Sequence, residues 1–330
     1  MEIKKVLVTG SDGYIGAVLS EKLVKKGYQV VGLDALFYKD LLLGPYRRNY
    51  HLRKGDICNL GNFDLSGFDA VIHLAALPDD PLERLNPELT EKINHLGTVK
   101  LAKACKKAGV GKFLFSSSCS VYGWSKEAVA EASPTNPLTT YAWSKKQSED
   151  ELLKLADDDF CIGILRNSTV YGYSSKFRGD LVVNNLTASA LVLGELRVKS
   201  DGTPWRALID VRDLSEIFVK FLEAKARKIN GEVFNIGFNE NNFQVKDIIK
   251  LVCRQLPRCG VVYTGEHSDD KRSYRVNFDK LDSLFPNLRQ NWPLGKSIED
   301  LVVKLKQFGY TREDFDSGKY NRVERLLKVV

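Results

Sequence analysis

KKVLVTGSDGYIGAVLSEKLVKKGYQVVGLD, from Lys4 to Asp34, decides how this chain folds. A short β-branched run leads into three glycines, an amphipathic run ends at Gly27, and a second β-branched run closes on an acid. The two apolar runs have strand length and the segment between them has helical periodicity, so the stretch predicts strand, helix, strand. Gly10, Gly13 and Gly16 fall between the first strand and the helix with the spacing G-x-x-G-x-x-G, with Tyr14 and Ile15 inside the loop. A tight turn, close backbone approach to a diphosphate and close packing of helix on strand all require glycine there, and the helix N-terminus then faces the anion. Asp34 ends the second strand. Its carboxylate suits the ribose hydroxyls of a dinucleotide and repels a 2′-phosphate, which predicts NAD rather than NADP.

The same rhythm continues outward. YHLRKGD, DAVIHLAA, KFLFSSS and FCIGILR read as further strands, and PELTEKINHLGTVKLAKACKKAG and TTYAWSKKQSEDELLKLA as long helices. Alternating strands and helices imply a parallel sheet covered on both faces. Beyond Arg166 the rhythm weakens into longer loops, an apolar helix at LVVNNLTASALVLG, a short strand at LRVKS and a turn at DGTPW. The fold class expected is α/β, a Rossmann-type doubly wound parallel sheet with a smaller interleaved α/β substrate-binding domain. The cofactor domain is placed at 1–166 plus about 207–236, and the second domain at about 167–206 plus 237–330. Asp213 reads as the N-cap of the helix LSEIFVKFLEA. Asp56, in KGDICN, reads equally as a contact to the adenine or as a turn cap.

Composition narrows the class. The chain has 330 residues, 43% hydrophobic and 28% charged, as in an ordinary soluble protein. Apolar runs are of strand length or broken by charge and the N-terminus shows no signal peptide, so a cytoplasmic protein without a membrane segment is expected. The formal charge of +7 comes with lysines at helix-surface spacings such as EKLVKKG, not clustered with aromatics. Nucleic acid is therefore not an expected partner, while an anionic small substrate is. Cys58, Cys105, Cys119, Cys161, Cys253 and Cys259 include no C-x-x-C pair, so no metal site or disulfide framework is expected and most should be buried thiols.

SSSCSVYG, from Ser116 to Gly123, lacks a histidine base nearby, which argues against a serine nucleophile. Tyr141 and Lys145 sit four apart on a predicted helix and share a face. An ammonium next to a phenol stabilises the phenolate and makes the tyrosine a usable base near neutral pH.

The glycine loop, HLAAL at His73 to Leu77, INHLGTVKL with Asn94, SSSCSVYG and YAWSK at Tyr141 to Lys145 together resemble the extended short-chain dehydrogenases/reductases. More narrowly they resemble the NAD-dependent nucleotide-sugar epimerases and dehydratases, from about residue 3 to about residue 300. The resemblance implies cofactor contacts from Gly10, Gly13, Tyr14, Ile15, Gly16, Asp34, Asp56 and Ile57. It adds Leu74, Ala75, Ala76, Asn94, Ser116, Tyr141 and Lys145. It implies catalysis by Tyr141, Lys145 and Ser118, with Ser118 bonding the substrate oxygen that exchanges a proton with Tyr141. Members that eliminate water carry an Asp-Glu pair after the matching residue, where this chain has Cys119 and Ser120. A 4,6-dehydratase is disfavoured accordingly.

A nucleotide-diphosphate sugar is the implied substrate, gripped by Arg178, Asn184, Arg206 and Arg272, with Cys119, Ser120, Tyr141 and Thr169 near the sugar. Thr169 stands where many epimerases have asparagine, and Asp210 where the family segment has histidine. Asn184 is preferred over Asn185, and Arg272 over Arg275. The implied activity is epimerisation at C4 through a transient 4-keto intermediate. A 4-dehydrogenase or 4-ketoreductase is the alternative, and a catalytically silent NAD-binding regulator is the alternative of another class. A homodimer through a four-helix bundle, built from the helices around Pro87 to Gly109 and Tyr141 to Ala156, is also implied.

Overall fold

The computed structural model describes residues 3–78, 86–198, 200–264 and 272–326. The opening unit is β1 (Lys5–Thr9), α1 (Tyr14–Lys25) and β2 (Gln29–Asp34). β1 and β2 run parallel with Val6 opposite Val30 and Thr9 opposite Leu33. The helix stops where expected, because Gly27 takes a φ of +90°, which a side chain would disfavour.

Seven strands form the main sheet. They are β1, β2, β3 (His51–Lys54), β4 (Ala70–His73), β5 (Lys112–Ser118), β7 (Cys161–Asn167) and β11 (Glu232–Ile236). Their order is β11-β7-β5-β4-β1-β2-β3, and every neighbouring pair is parallel. After β1 the chain moves to one side through β2 and then crosses to the other through β4. The crevice at the carboxyl ends of those strands is where such sheets bind ligands.

Alternation along the strands decides which helices cover which face. Val6, Val8, Ala70, Ile72 and Leu114 pack with Leu19 and Leu23 of α1 and with Ile217, Phe218 and Phe221 of α6 (Val211–Glu223). Leu7, Val71, Phe113 and Phe115 point the other way. They meet Leu101 and Cys105 of α3 (Thr98–Lys107) and Leu152 of α4 (Thr140–Leu153). Cutting a fully buried ring such as Phe113 back to alanine costs about 3–5 kcal/mol.

Two sequence expectations change here. The helix predicted from Pro87 to Gly109 begins as α2 (Pro87–Glu91), passes through a π-helical turn (Lys92–Gly97) and continues as α3. At the turn Gly97 lies against Cys58 and Ile57, where a Cβ would come within 2.9 Å of Cys58 Sγ. Asp213 does not cap α6. Asp210 does, accepting from Arg212 N at 2.8 Å, while the Asp213 carboxylate accepts from Asn291 N and Trp292 N.

The remaining elements surround the crevice. β8 (Thr169–Tyr171), β10 (Trp205–Asp210) and β12 (Asn242–Gln244) form a three-stranded sheet. β9 (Glu195–Val198) pairs with β13 (Gly260–Tyr263), and β6 (Trp124–Val129) with β14 (Ser273–Val276). A core of Val183, Leu186, Leu208, Ile248, Val252 and Ile298 joins β10 to α5 (Val182–Leu193), α7 (Val245–Gln255) and α9 (Leu294–Gln307). α8 (Asp279–Leu284), α10 (Arg312–Asp316) and α11 (Arg322–Leu326) complete the described helices. Cys105, Cys119 and Cys161 are buried thiols, and Cys58, Cys253 and Cys259 are half-buried. No helix among the described residues is long and apolar enough to cross a membrane.

Candidate active site

A cavity of about 840 Å³ opens at the carboxyl ends of β1, β2, β4 and β5, and the glycine loop forms its floor. Gly10 takes a φ of +70° and its amide donates to Leu33 O at 2.8 Å, which ties the loop to β2. A Cβ at Gly10 would stand 2.8 Å from the Ala75 backbone nitrogen, and one at Gly16 only 2.0 Å from Gly10 O. The glycine spacing thus records two backbone approaches that admit no side chain. Gly13 caps α1 without a side-chain hydrogen bond, which leaves the first helical amides for an anion. This cradle fits a dinucleotide diphosphate.

Asp34 stands beside that loop. Its carboxylate accepts from Asp12 N at 2.9 Å and Leu36 N at 2.7 Å, and the second bond holds Leu36 at a left-handed φ of 64°. Burial raises the Asp34 pKa and the two amides pull against that rise. Asp56 lines the cavity and also caps its own turn, accepting from Cys58 N at 2.9 Å, so both readings of it have a structural basis. Tyr14, Ile15, Ile57, Leu74, Ala75 and Ala76 lie on the wall as well.

Asn94 is not on the wall. It is fully buried, and its amide accepts from Leu77 N and donates to Leu77 O, holding the segment after β4 from behind. Below it His73 is locked between the Thr9 and Thr98 hydroxyls at 2.6 and 2.8 Å. Burial, with Lys145 adding to it, drives the His73 pKa down to about 3.

At the other end, Ser116, Ser118, Ser120, Tyr141, Lys145 and Thr169 line the same cavity. Thr139 caps α4 by accepting from Ala142 N, which starts the helix so that Tyr141 and Lys145 project one turn apart. The Lys145 ammonium lies 5.6 Å from the Tyr141 ring centre and donates to Ser116 O at 2.7 Å. Burial brings the Lys145 pKa down to about 7, with Glu149 opposing the fall. Ser118 Oγ accepts from Ser120 N, fixing the turn after β5. Ser120 Oγ, Asn167 Oδ1 and Ser168 Oγ are buried on this wall with no partner, an arrangement that suits a polar ligand. Cys119 is not on the wall. Its thiol donates to Arg166 O from the core, and burial pushes its pKa up to about 12.

Behind the serines lies an ionic network that sequence reasoning missed. Ser117 Oγ donates to Glu149, and Glu149 takes a three-point grip from Arg166, with its closest contact at 2.7 Å. Arg166 Nη1 reaches Tyr122 Oη, which donates to Asn235. Glu149 lies four residues after Lys145 on the same helix face, and that spacing was the available signal.

The second half of the chain supplies the facing wall with Arg178, Asn185, Arg206 and Arg272. Asn184 is absent from it. That residue is fully buried, accepts from Gly172 N and donates to Tyr14 Oη and Arg178 O. The preference for Asn184 over its neighbour is therefore corrected, because α5 turns Asn185 outward to the cavity. Arg206 donates to Arg272 O, which brings both arginines to one place. Arg178 is paired with Asp180 through two hydrogen bonds. The acids among the described lining residues are Asp34, Asp56 and Asp180, each already held as described. Among the described residues no cluster of His, Cys, Asp or Glu can hold a metal ion.

The sequence profile of the NAD dependent epimerase/dehydratase family matches residues 6–237. Human dTDP-D-glucose 4,6-dehydratase is 30% identical over 98% of this chain and 94% of its own length. UDP-glucose 4-epimerase of Mycolicibacterium smegmatis is 30% identical over 71% of this chain and 77% of its own. The crystal structure of UDP-glucuronic acid 4-epimerase from Bacillus cereus, in complex with UDP-glucuronic acid and NAD, superposes with a TM-score of 0.78 at 28% identity. That match covers 92% of this chain and 99% of that one.

Proposed function

Because the chain belongs to the NAD-dependent epimerase/dehydratase family, we propose that it is a nucleotide-sugar epimerase acting at C4. One observation carries the choice within the family. Tyr141, Lys145 and Ser118 share a wall on which no described residue offers an uncommitted carboxylate. Elimination of water across C5 and C6 needs an acid and a base with matched pKa values. At the two positions in question Cys119 is withdrawn into the core and Ser120 presents only a hydroxyl.

NAD supplies reversible hydride chemistry at the sugar carbon. Tyr141 takes the proton of the C4 hydroxyl and returns it to the same oxygen once the configuration at C4 has been inverted. Ser118 donates to the same oxygen and fixes its direction. The Lys145 ammonium favours the Tyr141 phenolate, and Ser116 O holds that ammonium in place. Arg206 and Arg272 grip the diphosphate, for which a guanidinium fork is suited. Asn185 completes the grip, and Thr169 and Ser120 face the sugar.

Incubation with UDP-, GDP-, CDP- and dTDP-sugars followed by NMR tests the reading. Two C4 epimers should reach equilibrium from either side with no net NADH. Stoichiometric NADH would make the enzyme a 4-dehydrogenase, and a 4-keto-6-deoxy sugar would make it a dehydratase. Leu96, in the π-helical turn between α2 and α3, and Trp143, on α4, are both exposed, which supports the homodimer through these helices. Sedimentation of the purified protein tests that part.

A further inference from the structure

The family resemblance gives no role to the segment from Tyr310 to Leu326, yet it returns to the cofactor end of the cavity. Tyr320 is buried with its ring 5.8 Å from that of Phe177, and its hydroxyl donates to Leu42 O at 3.0 Å. Gly179 N donates to Tyr320 O, and Leu326 packs on Leu77 beside Phe37 and Tyr38. Between these anchors Asn321 and Arg322 reach the cavity wall.

Arg322 is 2% exposed. Its Nη2 donates to Lys176 O at 2.7 Å, and its guanidinium carbon lies 4.1 Å from the centre of the Tyr38 ring. Its Nη1 has no hydrogen-bond partner, nor has the buried Tyr38 hydroxyl on the same wall. A buried, unpaired guanidinium is costly, because charge taken from water must be compensated. The other cations here are compensated: Lys176 and Arg48 pair with Asp12 at 2.7 Å each, and Arg178 pairs with Asp180. Arg322 makes no ion pair with a described residue, and two donors on one wall await an anionic oxygen.

The surroundings indicate whose oxygen it is. Lys176, which receives Arg322 on its carbonyl, grips Asp12 of the glycine loop, and Asp12 N donates to Asp34. Arg322 is thereby tied to the loop that fits a diphosphate and to the acid that fits the adenosine ribose. A 2′-phosphate would meet the Asp34 carboxylate and be repelled. We propose that Arg322, carried by a strap from Tyr310 to Leu326, contacts the diphosphate of the bound dinucleotide, with Tyr38 as its stacking and hydrogen-bonding partner. The inference rests on the dinucleotide site and not on the choice of epimerase, so either can fail alone. The Arg322 pKa, lowered to about 10 by burial and by the neighbouring Arg178, agrees with a cation waiting for an anion.

Calorimetry of the full chain freed of NAD tests it, with NAD, ADP-ribose, adenosine and UDP as ligands. Arg322→Gln should weaken NAD and ADP-ribose about ten- to a hundredfold, the value of a charge-assisted hydrogen bond, and leave adenosine and UDP within about twofold. Arg322→Lys should recover part of the loss. Equal weakening of adenosine would show a purely structural residue and overturn the proposal, as would weakening of UDP alone or no change at all. Thermal melting without ligand checks that the variants fold. If Arg322→Gln does not, Arg322→Lys and Tyr38→Phe decide by the same comparison of ADP-ribose with adenosine.

Discussion

At the cofactor end of the crevice the glycine loop offers main chain, and most of what shapes it lies within the first strand-helix-strand unit. Gly10, Gly13 and Gly16 shape one turn, and Asp34 orients its carboxylate through two backbone amides. At the substrate end the surface is side chain, and its members come from β10, α5, and the segments before β14 and after β7. Arg206 and Arg272 meet because β10 and the segment leading into β14 lie together, not because anything local requires it. The first end is conformationally determined. The second is assembled by tertiary packing.

The comparison can be broken by experiment, and the largest effect should come from the residue that joins both ends. Tyr141→Phe should lower kcat by about a hundred- to ten-thousandfold, with NAD still bound and the melting temperature unchanged. A loss of NAD binding in this variant would mean that Tyr141 holds the cofactor and not the proton. Glu149→Ala should cost about 3–5 kcal/mol in denaturant unfolding, since it strands the buried Arg166 guanidinium. A well-folded variant with only lowered activity would show that the network tunes chemistry and does not support the fold.

Smaller effects separate the two asparagines. Asn184→Ala should destabilise the protein by about 1–3 kcal/mol, because it leaves Gly172 N and other buried groups without a partner. Asn185→Ala should instead raise KM for the nucleotide sugar and change stability little. The opposite pattern would reverse their assignment. Arg206→Ala and Arg272→Ala should likewise act on KM more than on kcat, as removal of uniform binding does.

The most subtle expectation concerns Lys145. Its pKa falls from the ordinary lysine value to about 7 on burial, so between about pH 7 and 10 the unfolded chain binds more protons than the folded one. Stability of the cofactor-free protein should rise with pH across that window, and below it the full cost of the buried ammonium applies. Lys145→Met removes the dependence. Its stability relative to the parent should be more favourable at pH 6 than at pH 9.5, as read from urea midpoints. A difference that stays constant with pH would contradict the burial argument.

How much of this was legible in the sequence follows the same division. The parallel sheet, the glycine loop and Asp34 were readable because each depends on spacing within a few residues or on strand periodicity. The glycines admit a single reading once the Cβ clashes are seen. Asn94, Cys119 and Asn184 were expected on the cavity wall and lie behind it. In each case the residue type was apt for a ligand, but the direction of its side chain depends on a π-helical turn, a 3-10 turn or the roll of α5. The Glu149–Arg166 pair and Arg322 gave little local signal, since their partners lie 17 and 146 residues away. Long-range packing of charged groups is what a single sequence conceals.

The central claim is a hydride that leaves C4 and returns to it. A sugar nucleotide deuterated at C4, incubated with the purified enzyme in ordinary water, tests it most directly. Mass spectrometry and NMR of the product should find the inverted C4 carbon still carrying deuterium, with no NADH accumulated. Deuterium lost to solvent with inversion, or a 4-keto product accompanied by stoichiometric NADH, would contradict it.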